Sequence, residues 1–144
     1  MEETLRAGLE ACYRYRVPAT KTVPHLYEEA PDFRMMPDVF ATGYLVALCE
    51  WACIELIKPH LDWPREQTLG THIDLSHSAA TPPGFTVEVR VRLEAVEGRK
   101  LVFSIRAHDG VDEIGAGRHE RHVIQAERFA GKIAAKAAQA ARTA

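Results

Sequence analysis

Cysteine is scarce and odd in number, three in 144 residues, which excludes the disulfide framework of a small secreted domain. Two of the three, Cys49 and Cys53, sit in an apolar stretch, a pattern of free thiols in a reducing cytoplasm. An excess of one charge sign is missing too. The formal net charge is −2, and the basic residues lie singly along alternating patterns rather than in a patch, which argues against a nucleic-acid surface. The charged opening Met1-Glu2-Glu3-Thr4-Leu5-Arg6 is not followed by an apolar run, so no secretion signal is expected. The longest apolar stretch is interrupted by Glu50 and Glu55 and falls short of a membrane span, so no membrane is expected as a partner. There is no glycine-rich phosphate loop, no G-x-S-x-G elbow and no internal repeat.

What is present fits one domain, 1–144, large enough for a real core, with ordinary apolar and charged fractions of 47% and 26%. Leu9–Val17 is expected as a first strand, since Cys12, Tyr13 and Tyr15 suit a pleated surface. Pro18, Pro24, Pro31 and Pro37 then break any long element, and an irregular segment over about 18–40 reads as a lid or mouth. A helix is expected to start at Thr42, a good N-cap residue, and to stop before Pro59. In Thr68–Ala79, Leu69, Thr71, Ile73 and Leu75 alternate with Gly70, His72, Asp74 and Ser76. After the turn Pro82-Pro83-Gly84, Phe85, Val87, Val89, Val91, Leu93 and Ala95 share one face, with Thr86, Glu88, Arg90, Arg92 and Glu94 opposite. That is strict period two, one face buried and one wet.

Gly98 breaks the run, and Leu101, Phe103, Ile105 and Ala107 resume it as far as the turn at Asp109-Gly110. A last strand covers Glu113–Ile124, and the alanine- and lysine-rich tail, 126–144, is expected to start helical and fray, in a docking or solubilising role. The order predicts an α+β fold, an antiparallel β-sheet wrapped around a central hydrophobic helix. Gly115 and Gly117 permit close backbone approach where that sheet curls.

The helix itself, within Phe40–Ile57, is apolar almost all round yet carries Glu50 in its middle. A helix apolar on every side is expected to be buried on every side, where an ionised carboxylate is costly unless paired. Glu50 is therefore a candidate nucleophile or general base, against the alternative of a carboxylate paired at a sheet edge or subunit interface. His77 stands at a strand end between Ser76 and Ser78, where an imidazole reaches a site edge or simply closes a turn. Thr42 reads first as a capping residue, with Gly43 beside it at the positive end of the helix.

In GRHERHV, Arg121 lies among Arg118, His119, Glu120 and His122, where a charged strand face is usually solvated. His119 and His122 are three apart on a strand and so face opposite ways, which argues against joint metal ligation. Cys49 and Cys53 read as small core residues, and Asp109, Asp112 and Glu113 as a hairpin turn rather than a calcium loop. No metal is expected.

Three stretches, VFATGYLVALCEWACIELI, LGTHIDLSHSAATPPGFTVEV and AHDGVDEIGAGRHERHVI, resemble in order the fluoroacetyl-CoA thioesterase group of hotdog-fold enzymes. The resemblance runs from about Lys21 to Ile124. It implies a hotdog fold with paired subunits, an acyl-CoA substrate, and no cofactor beyond the coenzyme A of that substrate. It also implies Thr42, Glu50 and His77 as catalytic residues, Gly70 as a substrate-contacting glycine and Arg121 as a polar contact near the acyl group. Phe33 matches the group's lid, but Met36 stands where fluoroacetyl-specific members carry a phenylalanine. Methionine is flexible and lacks an aromatic face, so the chemistry is expected to persist with a short, unassigned acyl specificity.

Geometry adds a constraint to these assignments. Thr42 and Glu50, eight residues apart on one helix, are separated by about 12 Å of rise and roughly 80° of rotation. A site at a two-fold interface, drawing on both subunits, resolves this, so a homodimer with two composite sites is expected. The competing readings are a non-catalytic acyl-CoA-binding module, a purely structural dimer, and a hydratase or dehydratase. The last would pair an aspartate with a histidine on one segment, which Asp74 and His77 do poorly at a spacing of three.

Overall fold

The computed structural model describes residues 1–143. Strand β1 (Glu10–Arg16) leads into a loop carrying the one-turn helix α1 (Pro31–Arg34), then helix α2 (Thr42–Ile57). Four strands follow, β2 (Glu66–Leu75), β3 (Thr86–Glu97), β4 (Lys100–His108) and β5 (Glu113–Gln125), before helix α3 (Ala126–Thr143). All pairings are antiparallel, in the order β1-β3-β4-β5-β2. This is the expected α+β arrangement.

Period two explains the strands. Val87, Val89, Val91 and Leu93 of β3 and Leu101, Phe103, Ile105 and Ala107 of β4 are all buried, while the residues between them on β3 stay wet. A bulge between Leu93 and Ala95 shifts the phase, so Val96, and not the expected Ala95, packs against the core. Helix α2 touches β3 near the middle of the sheet and both edge strands, β1 and β2. A flat five-stranded sheet is roughly 19 Å across its strand axes, against a helix about 10 Å thick. Contact with both edges therefore requires the sheet to curl around the helix. Gly115 and Gly117 allow the curl: a Cβ on either would collide with the backbone of β2 and the segment after it, at Ser76 and Asp74.

Two expectations about α2 are corrected. Its N-cap is Ala41, with no side-chain cap, and Thr42 is the first helical residue, its hydroxyl meeting His77. Nor is the helix buried all round. Leu45, Leu48, Cys49, Ala52, Cys53, Leu56 and Ile57, spaced i, i+3, i+4, i+7, form the one stripe the sheet covers. Ala47 and Trp51 are exposed and Val46 and Ile54 only half-buried, since a single sheet covers a single face.

Elsewhere the hairpin at Asp109 forms as expected. Its buried carboxylate accepts hydrogen bonds from the Val111 and Asp112 backbone N–H groups and from the Thr81 hydroxyl. Cys49 and Cys53 are core residues, fully buried. Where fraying was expected, α3 runs unbroken to Thr143, with no residue buried. Among the described residues no helix is long and apolar enough to cross a membrane.

Candidate active site

Glu50 points from α2 toward the junction of β2 and β5. There its Oε1 accepts a hydrogen bond from Arg121 Nη1 at 3.1 Å. The alternation of β5 turns Arg121 inward with Val123 and Gly117, while Arg118, Glu120 and His122 face out or stay in contact with solvent. Arg121 is 4% exposed, so the reading of this strand as a solvated charged face does not hold for it. Its guanidinium is fixed on β2 as well: Nε donates to Thr68 Oγ1 and Nη2 to the Thr68 carbonyl, each at 2.8 Å.

Gly70 makes the approach of Glu50 feasible. β2 bulges between Gly70 and His72, and Gly70 faces the helix. A Cβ there would lie 2.7 Å from Glu50 Oε1, 3.2 Å from His119 Cε1 and 3.4 Å from Arg121 Nη1. Any side chain would displace the carboxylate. The bulge also breaks the alternation of β2: Leu69 pairs with outward-facing His122, whereas Ile73 and Leu75, beyond the bulge, pair with His119 and Gly117 on the inner face. Leu69 and Ile73 are 39% and 38% exposed.

His119 belongs to this cluster, although it was expected only as half of a rejected metal pair. It is 1% exposed, with its ring stacked on Phe103 at 6.3 Å, whereas His122 is on the exposed face. Nδ1 lies 2.7 Å from the His72 carbonyl and Nε2 lies 3.1 Å from Arg121 Nη1. Burial is the main cause pulling its pKa down, and Arg121 adds to it, against the His72 carbonyl and Glu50. The ring is therefore neutral near pH 7, and its 4.0 Å approach to Glu50 is no salt bridge. The signal that finds it is period two: counting back from buried Val123 places Arg121, His119 and Gly117 on one inner face.

A second cluster stands at the start of α2. Thr42 Oγ1 and His77 Nδ1 are 2.7 Å apart, at the rim of an open depression of about 250 Å³ lined also by Val23, Phe40 and Ala79. Burial lowers the His77 pKa, with the backbone at Ala79 opposing it, and Nε2 is buried without a partner. The first intrahelical bond of α2 is Leu45 N–H to the Ala41 carbonyl, so the amides of Thr42, Gly43 and Tyr44 precede the helical ladder. An imidazole ready to accept a proton thus sits beside the positive end of a helix.

The chain thus gathers Glu50, Gly70 and Arg121 in one place and Thr42 with His77 in another, and no hydrogen bond among the described residues joins the two. Phe33 and Met36 belong to neither group. Phe33 stacks on Tyr27 at 6.0 Å where α1 packs on the turn Val23–His25, and Met36 is 46% exposed.

Residues 20–127 match the model of a family described as fluoroacetyl-CoA-specific thioesterase. The fluoroacetyl-CoA thioesterase of Streptantibioticus cattleyicolor is 51% identical over 136 residues, 94% of this chain and 97% of that protein. A solved fluoroacetyl-CoA thioesterase, a threonine-to-serine mutant in complex with acetyl-CoA, superposes with a TM-score of 0.89 at 51% identity. That match covers 92% of this chain and 98% of the other. A hot-dog-like protein from Thermanaerovibrio acidaminovorans, 18% identical, shares the fold at a TM-score of 0.75 over 90% of this chain and 91% of its own.

Proposed function

The chain belongs to the fluoroacetyl-CoA-specific thioesterase family, and from that premise we propose that it hydrolyses a short-chain acyl-CoA to the free acid and coenzyme A. The observation that carries the reading is the Glu50 carboxylate, paired with a buried arginine and faced by a glycine that leaves room before it. Hydrolysis of a thioester needs an oxygen nucleophile, a group to take or give a proton, and donors for the developing oxyanion. Glu50 supplies the first, attacking the acyl carbon itself or through a water it deprotonates. Arg121 holds Oε1 and leaves Oε2 as the freer oxygen. The Thr42 hydroxyl, the amides at the start of α2 and His77 supply the rest. As the carbon–sulfur bond breaks, its electron pair leaves on the coenzyme A thiolate. Water supplies the oxygen of the acid, either as the attacking species itself or by hydrolysing the acyl–Glu50 anhydride that direct attack leaves, which restores the carboxylate.

Each chain holds half of this machinery in each place, so the catalytic unit in this reading is a homodimer. Thr42 and His77 of one protomer work with Glu50, Gly70 and Arg121 of the other. Two features support this. The depression at Thr42 is smaller than the roughly 300–1,000 Å³ of a complete ligand pocket. The uncovered apolar face of α2 adjoins Glu50, and the neighbouring edge strand β2 exposes Leu69 and Ile73. A partner covering both would complete the wall and dry the site. Phe33 and Met36 then form the lid over the acyl group, and the protein acts in the cytoplasm.

The test is thiol release from acetyl-, fluoroacetyl-, medium-chain and aromatic acyl-CoA by the wild type, Glu50→Gln and His77→Ala. Turnover of a short acyl-CoA that falls at least about 100-fold in both variants supports the enzyme. Tight acyl-CoA binding without turnover by the wild type would make the protein a binding module instead.

A further inference from the structure

His119 is buried, lies on the same inner strand face as Arg121, and spends both ring nitrogens on specific partners. A carbonyl oxygen only accepts, so the Nδ1 that meets the His72 carbonyl at 2.7 Å carries the proton. In a neutral ring Nε2 then has a lone pair, and it accepts from Arg121 Nη1. The guanidinium has five N–H groups, and four of them have partners. Nε and one N–H of Nη2 are committed to Thr68, and the two N–H groups of Nη1 go to Glu50 Oε1 and His119 Nε2. Remove the His119 lone pair and one buried donor is left unsatisfied, which drives the guanidinium to rotate. Rotation swings the other Nη1 N–H away from Glu50.

We propose that His119 is a positioning residue: through its Nε2 lone pair it sets the orientation of Arg121, and through Arg121 that of the Glu50 carboxylate. The chain of contacts runs from the His72 carbonyl, beside the β2 bulge, to the carboxylate at the reacting centre. His119 itself touches no substrate. The inference rests on the reading of Glu50 as the reacting carboxylate.

Three substitutions separate this role from packing. The amide of glutamine reaches the place of Nε2 and can offer Arg121 an acceptor. That of asparagine reaches the place of Nδ1 and keeps only the link to His72. Phenylalanine keeps the ring stacked on Phe103 and loses both links. The measurements are kcat, KM and Tm for His119→Gln, His119→Asn and His119→Phe, with Glu50→Gln as the control.

The expected result is a kcat loss of about 10- to 100-fold in the asparagine and phenylalanine variants, with KM within about twofold of wild type. Glutamine restores kcat to within about fivefold. A phenylalanine or asparagine variant with wild-type kcat overturns the proposal, as does a glutamine variant no better than phenylalanine. A Glu50→Gln enzyme with full turnover instead sinks the reading of Glu50, whatever His119 does. Nitrogen-15 NMR of the wild-type histidines is independent of activity and of how well the variants fold. The proposal requires His119 in the Nδ1–H tautomer at pH 7, and a doubly protonated or Nε2–H ring overturns it.

Discussion

Replacing Gly70 by alanine is the smallest change that separates the geometry of this site from the stability of its fold. The new Cβ would stand 2.7 Å from Glu50 Oε1, well inside contact distance, so something must shift. Backbone strain is not the issue, because Gly70 is not among the glycines with positive φ. The nearest neighbour is the tip of a side chain, and Glu50 can swing away. Doing so breaks its 3.1 Å bond to Arg121. A hydrogen bond to a charged group is worth about 1.5–3 kcal/mol, which corresponds to a loss of roughly 10- to 150-fold in kcat/KM. Stability is expected to stay within about 1 kcal/mol, since a glycine in a strand gains slightly from a side chain. The assay is thiol release beside a thermal melt. A Gly70→Ala enzyme with kcat/KM within twofold of wild type would refute the claim that the missing side chain sets the carboxylate's position.

The same substitution at Gly117 acts in the opposite way. Its Cβ meets Asp74 backbone rather than a movable side chain, so Gly117→Ala is expected to lower stability by about 2 kcal/mol or more, visible as a depressed Tm. In acid, burial holds the pKa values of His77 and His119 below the ordinary histidine range, so the unfolded chain binds their protons more readily. Their contribution is complete above about pH 6.5, shrinks as pH falls through that value, and levels off below the folded pKa values. Urea melts at a series of pH values check this, and a protein most stable at pH 5 would contradict it. Burial pushes the Cys49 thiol up to about 12 and raises Cys53 further, while Cys12 is exposed. A thiol reagent should therefore titrate one cysteine per native chain and three after denaturation; three reactive thiols in the native protein would contradict the packing.

The fold was legible where patterning is local. Period two marks one face of β3 and β4, and its members from Val87 to Leu93 and from Leu101 to Ala107 lie in the core as expected, while Phe85 and Ala95 at the ends of the first run are only half-buried. Glu50 stood out because a carboxylate in an apolar helix requires a partner, and Arg121 is that partner. Other features were hidden for physical reasons. Thr42 has the chemistry of a cap, and only the fold brings His77 within reach of its hydroxyl. The bulge at Gly70 leaves no local mark beyond the glycine, and it splits the apolar set of β2, with Leu69 on the outer face and Ile73 and Leu75 on the inner one. His119 was overlooked because five polar residues in GRHERH look like a solvated face, although alternation from Val123 inward marks it. The uncovered half of α2 is invisible to any pattern, since apolar residues read the same whether their neighbour is the same chain or another.

Subunit mixing is the sharpest test of a catalytic site shared between two chains. Thr42→Ala and Glu50→Gln proteins, each inactive alone, would be unfolded together, refolded as a mixture and assayed for acyl-CoA hydrolysis. If Thr42 of one protomer serves Glu50 of the other, half the dimers are mixed and each has one intact site, restoring about a quarter of wild-type turnover. No recovery, with mixed dimers present by native mass spectrometry, would place both residues in the same chain's site and contradict the account.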